Sequence, residues 1–123
     1  MCESFDEAWV RCAPWLEAAL ARDPTHSLED VRRLCLTRPD RYHFWPGEDA
    51  AIVSQLIASP RSTDLHVWLG GGALATLQQA VPSLEAFARA LGCDRITLAG
   101  RAGWGRALDG FAPQFTAFAK GLR

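Results

Sequence analysis

Residues 83–120 hold four short elements, and no other part of this chain limits its fold so tightly. Leu84, Phe87, Ala88 and Leu91 recur at i, i+3, i+4 and i+7, the apolar stripe of an amphipathic helix. Gly92 stops that helix in the manner of a C-terminal cap. Residues 95–99, Arg-Ile-Thr-Leu-Ala, are short, β-branched and apolar, which predicts a strand. Residues 100–103 turn the chain, and Trp104, Ala107, Leu108 and Phe111 form a second helical stripe. Residues 114–119 predict a last strand. Helix, strand, helix and strand in so short a span predict an α+β fold, a mixed sheet layered with helices.

Upstream, Phe5, Trp9, Ala13, Leu16, Ala19 and Leu20 trace one face of a helix. Pro14 predicts a kink there or two consecutive helices, because proline removes a donor and clashes with the preceding turn. After a loop at 23–26, Ser27 and Asp30 form a variant capping box that opens a helix over Leu28, Val31, Leu34 and Cys35. Residues 38–40 end it. Strands are predicted over 42–45, 51–57 and 65–69, with a turn at 46–49 and with Leu65, Val67 and Leu69 on one face. Gly70, Gly71 and Gly72 predict a flexible turn, since strand interiors disfavour glycine. Leu74, Leu77 and Val81 suggest a short helix before Pro82, which suits the first turn of the longer helix.

A length of 123 residues predicts one domain over 1–123, with enough chain for one core. The net charge of −1 argues against nucleic acid as the main partner, because phosphate binding needs an excess of lysine and arginine. No apolar run approaches the length of a membrane span, and the first residues lack a basic stretch followed by an apolar one. A cytoplasmic protein without membrane contact is the expectation. Cys2, Cys12, Cys35 and Cys93 are scattered, with no histidine at ligand spacing, so no metal site is expected. They read as small apolar fillers of a reducing compartment.

The element order resembles the GCN5-related N-acetyltransferase (GNAT) fold. Residues 65–69 look like that family's fourth strand, and residues 95–99 like its fifth. Residues 84–93, LEAFARALGC, are similar to the family helix that ends in Gly-Cys. Ala107 through Gly110-Phe111 resembles the late short helix that closes with Gly-Phe. More narrowly, HVWLGGG followed by LEAFARALGCDRITLAGRAGW is similar to short GNAT-like proteins encoded in tailed-phage and prophage genomes near virion genes.

The resemblance implies a coenzyme loop of the form [Arg/Gln]-x-x-Gly-x-[Gly/Ala], whose backbone N–H groups cradle phosphate oxygens at a helix N-terminus. It also implies strands that hydrogen-bond the pantetheine arm, and a tyrosine that protonates the leaving thiolate. This chain departs from both chemical positions. No Arg or Gln precedes the glycines in register, and Val81-Pro82-Ser83 stands where the loop should open into the helix. Arg106 replaces the tyrosine.

In an active enzyme, Val67, Leu69, Gly70, Gly71 and Gly72 would hold acetyl-CoA. Arg101 would clamp an anion or carboxylate, and His66 or Glu48 would serve as base. Each residue also has a structural reading: satisfied histidine, solvated turn carboxylate, tight glycine turn, surface arginine. Trp68 on the face of His66 either lines a groove or packs beneath a helix.

Three functions follow. One is a virion structural or assembly module that binds no cofactor and docks virion proteins or further copies of itself, with tryptophans available for interfaces. It would reside in the host cytoplasm or the virion. Another is an acetyl-CoA-dependent N-acetyltransferase acting on a small amine or protein. The third is a modulator of a host enzyme. The site, not the fold, decides among them.

Overall fold

Local capping chemistry opens the first two helices. In the computed structural model, which describes residues 3–98, 107–108, 110–112, 114 and 118–122, α1 spans Phe5–Leu20 and α2 spans Leu28–Thr37. The Ser4 hydroxyl accepts the Glu7 N–H at 3.1 Å and opens α1. Ser27 and Asp30 complete the expected capping box of α2, each side chain accepting the other's backbone N–H at 3.1 and 2.9 Å. Pro14 lies inside one continuous α1, so of the two expected outcomes the division into two helices is absent. Proline 14 faces solvent, and the carbonyl it leaves without a donor belongs to Val10, whose residue is 74% exposed and open to water.

Strands β1 (Tyr42–Pro46), β2 (Ala50–Ala58), β3 (Thr63–Gly72) and β4 (Arg95–Leu98) follow, with α3 (Leu74–Ala90) between the last two. They form one mixed sheet in the order β1-β2-β3-β4; the first two pairings are antiparallel and β3 runs parallel to β4. Helices α1 and α2 cover one face, where Trp9, Cys12, Leu16, Val31 and Cys35 pack on Ala51, Val53 and Leu69. Helix α3 covers the other face, where Leu77, Leu84 and Ala88 pack on Ala50, Ile52, Leu65 and Val67. Cys12 and Cys35 are buried fillers as expected, Cys93 is partly buried, and Cys2 lies outside the described residues.

Helix α3 is a single helix, not the expected short helix followed by a longer one beginning at Pro82. Leu77 and Leu84 anchor it to the sheet on both sides of Pro82, which itself points to solvent. Its C-terminus has the full glycine-capped geometry: Gly92 adopts φ +76°, its N–H donates to Arg89 O at 3.0 Å, and the Cys93 N–H donates to Ala88 O at 2.9 Å.

The three glycines are strand, not turn. Gly70, Gly71 and Gly72 pair with Ile52, Ala51 and Ala50. A Cβ on Gly71 would stand 2.5 Å from the Trp15 carbonyl oxygen, and one on Gly72, at φ +104°, would collide with backbone of Asp49 and Ala50. The close approach of α1 to β3 requires glycine, and a property of turns does not.

One residue of β3 has no partner on β2. Val53 lies opposite Leu69 and Ser54 opposite Val67, which leaves Trp68 as a β-bulge. The extra residue reverses the facing of everything after it. Leu65 and Val67 therefore face α3 while Leu69 faces α1, against the expectation of one shared face.

Among the described residues β1 is an edge of the sheet. The Leu56 N–H donates to Arg41 O and the Gly47 N–H to Ala50 O, so residues 41, 43, 45 and 47 turn their backbone toward β2. Tyr42, Phe44 and Pro46 turn theirs outward. The Tyr42 N–H is taken by Arg38 O at 2.9 Å and Pro46 has none, which leaves the Phe44 N–H as the outward donor of this edge.

Trp104, Arg101 and Arg106 lie outside the described residues, as do residues 115–117 of the expected last strand, while Gln114, Phe118 and Ala119 are described and are not strand. Leu108 is buried, and with Phe111 it lines a narrow apolar void of about 20 Å³ against Val67, Gly70 and Leu84.

Candidate functional site

Where β3 passes into α3, one residue, Ala73, joins the last glycine of the strand to the first residue of the helix. The expected spacer of chain and proline between glycines and helix is therefore not there. The Ala73 N–H donates to Asp49 O at 2.9 Å, and the first bond of the helix runs from the Leu77 N–H to Ala73 O at 3.1 Å. The N–H groups of Leu74, Ala75 and Thr76 precede that bond, and Ala73 offers no side-chain cap. Asp49 stands beside this end of the helix, its carboxylate accepting the Thr76 hydroxyl. A carboxylate is thus already held at the positive end of the α3 dipole. The sequence sets Asp49 beside Glu48 in a turn whose carboxylates could act as base or bind an amine, but the partner of Asp49 is visible only after folding.

Arg11 of α1 fixes the turn that carries these carboxylates. Its guanidinium grips both oxygens of Glu3 at 2.7 and 2.8 Å and donates to the carbonyls of Gly47 and Glu48. The Glu3 hydrogen bond raises the already high pKa of Arg11, and Arg11 in turn lowers that of Glu3. The Glu48 side chain is exposed.

His66 lies toward the other end of β3. Its Nδ1 is 2.9 Å from the Thr97 hydroxyl across the parallel β3–β4 pair. Burial pushes its imidazole below the ordinary histidine range, against an opposing pull from the Asp64 carboxylate. His66 pairs with Gln55 and Gly72 with Ala50, so about 20 Å of strand separates them at roughly 3.3 Å per residue. The two candidate bases, His66 and Glu48, are accordingly not brought together. Of the candidate coenzyme residues, Val67 pairs with Leu98 of β4, Leu69 is core beneath α1, and Gly70 lines the apolar void. Arg101 lies outside the described residues.

Trp68 proves to be a hub. Its indole N–H donates to Asp23 at 2.9 Å, its ring meets His26 edge-on at 4.8 Å, and it meets Tyr42 at 5.9 Å. Asp23 also accepts from the Thr25 hydroxyl and backbone N–H, and these bonds, Thr25 first and Trp68 next, lower its pKa. The bulge delivers Trp68 to the loop between α1 and α2, and no pattern in the sequence announces it.

A groove of about 250 Å³ lies between α3 and the β1–β2 hairpin. Trp45 and Pro46 wall it on one side; Thr76, Ala80 and Ser83 line it on the other. Among the described residues, no group of three or more His, Cys, Asp or Glu side chains is placed to hold a metal, and no helix is long and apolar enough to cross a membrane.

No protein-family model matches the chain, and no curated protein matches its sequence. Solved structures do match its fold. An aminoglycoside acetyltransferase, meta-AAC0020, from an uncultured soil metagenomic sample and in complex with sisomicin, superposes with a TM-score of 0.64 at 9% identity, over 94% of this chain and 88% of that one. A tetramutant of the BH1408 protein from Bacillus halodurans gives 0.62 at 14% identity, over 98% of each chain. A GNAT family acetyltransferase from Staphylococcus aureus subsp. aureus USA300_TCH1516 gives 0.54 at 13% identity, over 79% of this chain and 78% of that one. The architecture is a GNAT-like α+β fold.

Proposed function

We propose that this chain is a non-catalytic interaction module built on the GNAT-like scaffold. The observation that carries the reading is the passage from β3 to α3. The three glycines are committed to pairing with β2, Gly71 packs under α1, and the helix that follows opens beside Asp49. A diphosphate approaching the N–H groups of Leu74, Ala75 and Thr76, which the first bond of the helix leaves over, would meet a carboxylate of its own sign. The expected reason for losing the coenzyme, an intervening proline, gives way to this electrostatic one. The setting we propose is a phage or prophage particle or its assembly, with other virion proteins or further copies of the chain as partners. That part rests on the resemblance of residues 66–104 to short phage-encoded proteins.

Isothermal titration of the chain with acetyl-CoA tests the first half. The expected result is no saturable heat and no rise in melting temperature, since a ligand that binds the folded state must stabilise it. Saturable binding in the micromolar range overturns the reading. Co-purification with assembled particles tests the second half, and a chain found only in the particle-free fraction refutes it.

One observation favours an acetyltransferase instead. His66 is held by Thr97 with its pKa depressed, so at neutral pH its imidazole is uncharged and able to accept a proton from an amine. Under that reading acetyl-CoA binds, and His66→Gln lowers turnover while leaving coenzyme affinity unchanged.

A further inference from the structure

Two ring nitrogens converge on one buried hydroxyl on the α3 face of the sheet. Ser54 of β2 is wholly buried, and its Oγ lies 2.9 Å from both Trp45 Nε1 and His43 Nδ1. An indole N–H can only donate, so the Ser54 oxygen accepts from Trp45. The Ser54 hydroxyl hydrogen then needs an acceptor of its own. Among the described residues His43 Nδ1 is the side-chain atom within reach. This assigns His43 as neutral, with its proton on Nε2. Both rings of the relay bear on α3: Phe87 meets His43 edge-on at 4.8 Å and Trp45 at 5.2 Å.

We propose that His43, Ser54 and Trp45 form a proton-operated latch that fastens the second half of α3 to β1. One proton taken from solvent by His43 Nδ1 turns that nitrogen from acceptor to donor. Ser54 then faces two donors, and its own hydrogen is left without a partner in the core. The imidazolium also needs hydration that the contact with Phe87 withholds. Withdrawal of Phe87 admits water, which hydrates the imidazolium and accepts the Ser54 hydrogen, so acid releases this part of α3 and widens the groove that Trp45 walls. The charged group acting on His43 is Asp40, from the turn between α2 and β1; β2 presents Ser54, and α3 presents the uncharged ring of Phe87. Burial holds the imidazole below the ordinary histidine range, with the Asp40 backbone and carboxylate pulling the other way.

Nuclear magnetic resonance of the intact chain between pH 8 and pH 5 tests the latch. The expected result is that the Trp45 indole N–H resonance moves with the midpoint of His43, and that the protection of the Phe87 amide falls over the same interval. In Ser54→Ala the Trp45 resonance should stop following His43. A Trp45 resonance that stays still while His43 titrates, or that follows His26 or His66 instead, overturns the proposal. If Ser54→Ala does not fold, the wild-type Trp45 and Phe87 signals decide alone, and an unchanged Phe87 protection across the His43 midpoint is equally fatal.

Discussion

The backbone carbonyl of Trp15 occupies the space into which a side chain on Gly71 would project, 2.5 Å from the Cβ that glycine lacks. Because the obstacle is helix backbone and not a rotatable side chain, it cannot swing aside. Gly71→Ala should therefore destabilise the fold by about 1–3 kcal/mol, the usual penalty of overpacking. Gly92→Ala meets nothing within 4 Å and should lose about 1 kcal/mol through its φ of +76° alone. Urea unfolding of the two variants checks both figures. A Gly71→Ala protein as stable as wild type would show that α1 does not press on β3. Lost activity in a Gly71 variant would say nothing about a coenzyme, since the residue is structural first.

Pro82 sits in the interior of α3 on its solvent side. Interior proline is about 3 kcal/mol less favourable than alanine in a helix, while the stiffer unfolded chain it provides returns about 1 kcal/mol. Pro82→Ala should thus stabilise the protein by up to about 2 kcal/mol, read as a higher melting temperature. A lower melting temperature would mean that the proline ring shapes the helix for its seat on Leu65 and Val67.

Asp23 connects the α1–α2 loop to the bulge through Trp68. Its pKa is lowered in the folded state, by Thr25 first and then by Trp68. A depressed carboxylate contributes stability that is complete above the unfolded value of about 3.9 and lost as pH falls through the folded value. Trp68→Phe removes one of the bonds, so the acid limb of its stability curve should be shallower than that of wild type. Melting temperatures between pH 5 and pH 2 measure this, and identical acid limbs would count against the link.

Signals confined to a few neighbouring residues were legible. Ser27 with Asp30, and Gly92 after Leu91, act through bonds within a turn of themselves, and both motifs formed as written in the sequence. The element order of a GNAT-like sheet was legible for the same reason, element by element. The glycines were misread because their cause is Trp15, more than fifty residues away and on another element. The face of Leu69 was misread because a bulge leaves no mark in an alternating pattern, and Trp68 looks like any strand aromatic. Pro82 signalled a helix start where tertiary packing carries the helix through. Of the candidate site, the strand position of His66 was legible, but the strand pairing of the glycines and the meeting of Asp49 with Thr76 were not.

Because Pro46 offers no amide and that of Tyr42 is spoken for, a β-strand from another molecule laid along β1 would find a donor only at Phe44. Lateral growth of the sheet, the route by which crowded proteins fuse into fibrils, is short of two of its three donors on this side. Contacts with other molecules through this region are shifted toward side chains, a mode of association that can be selective and can be undone.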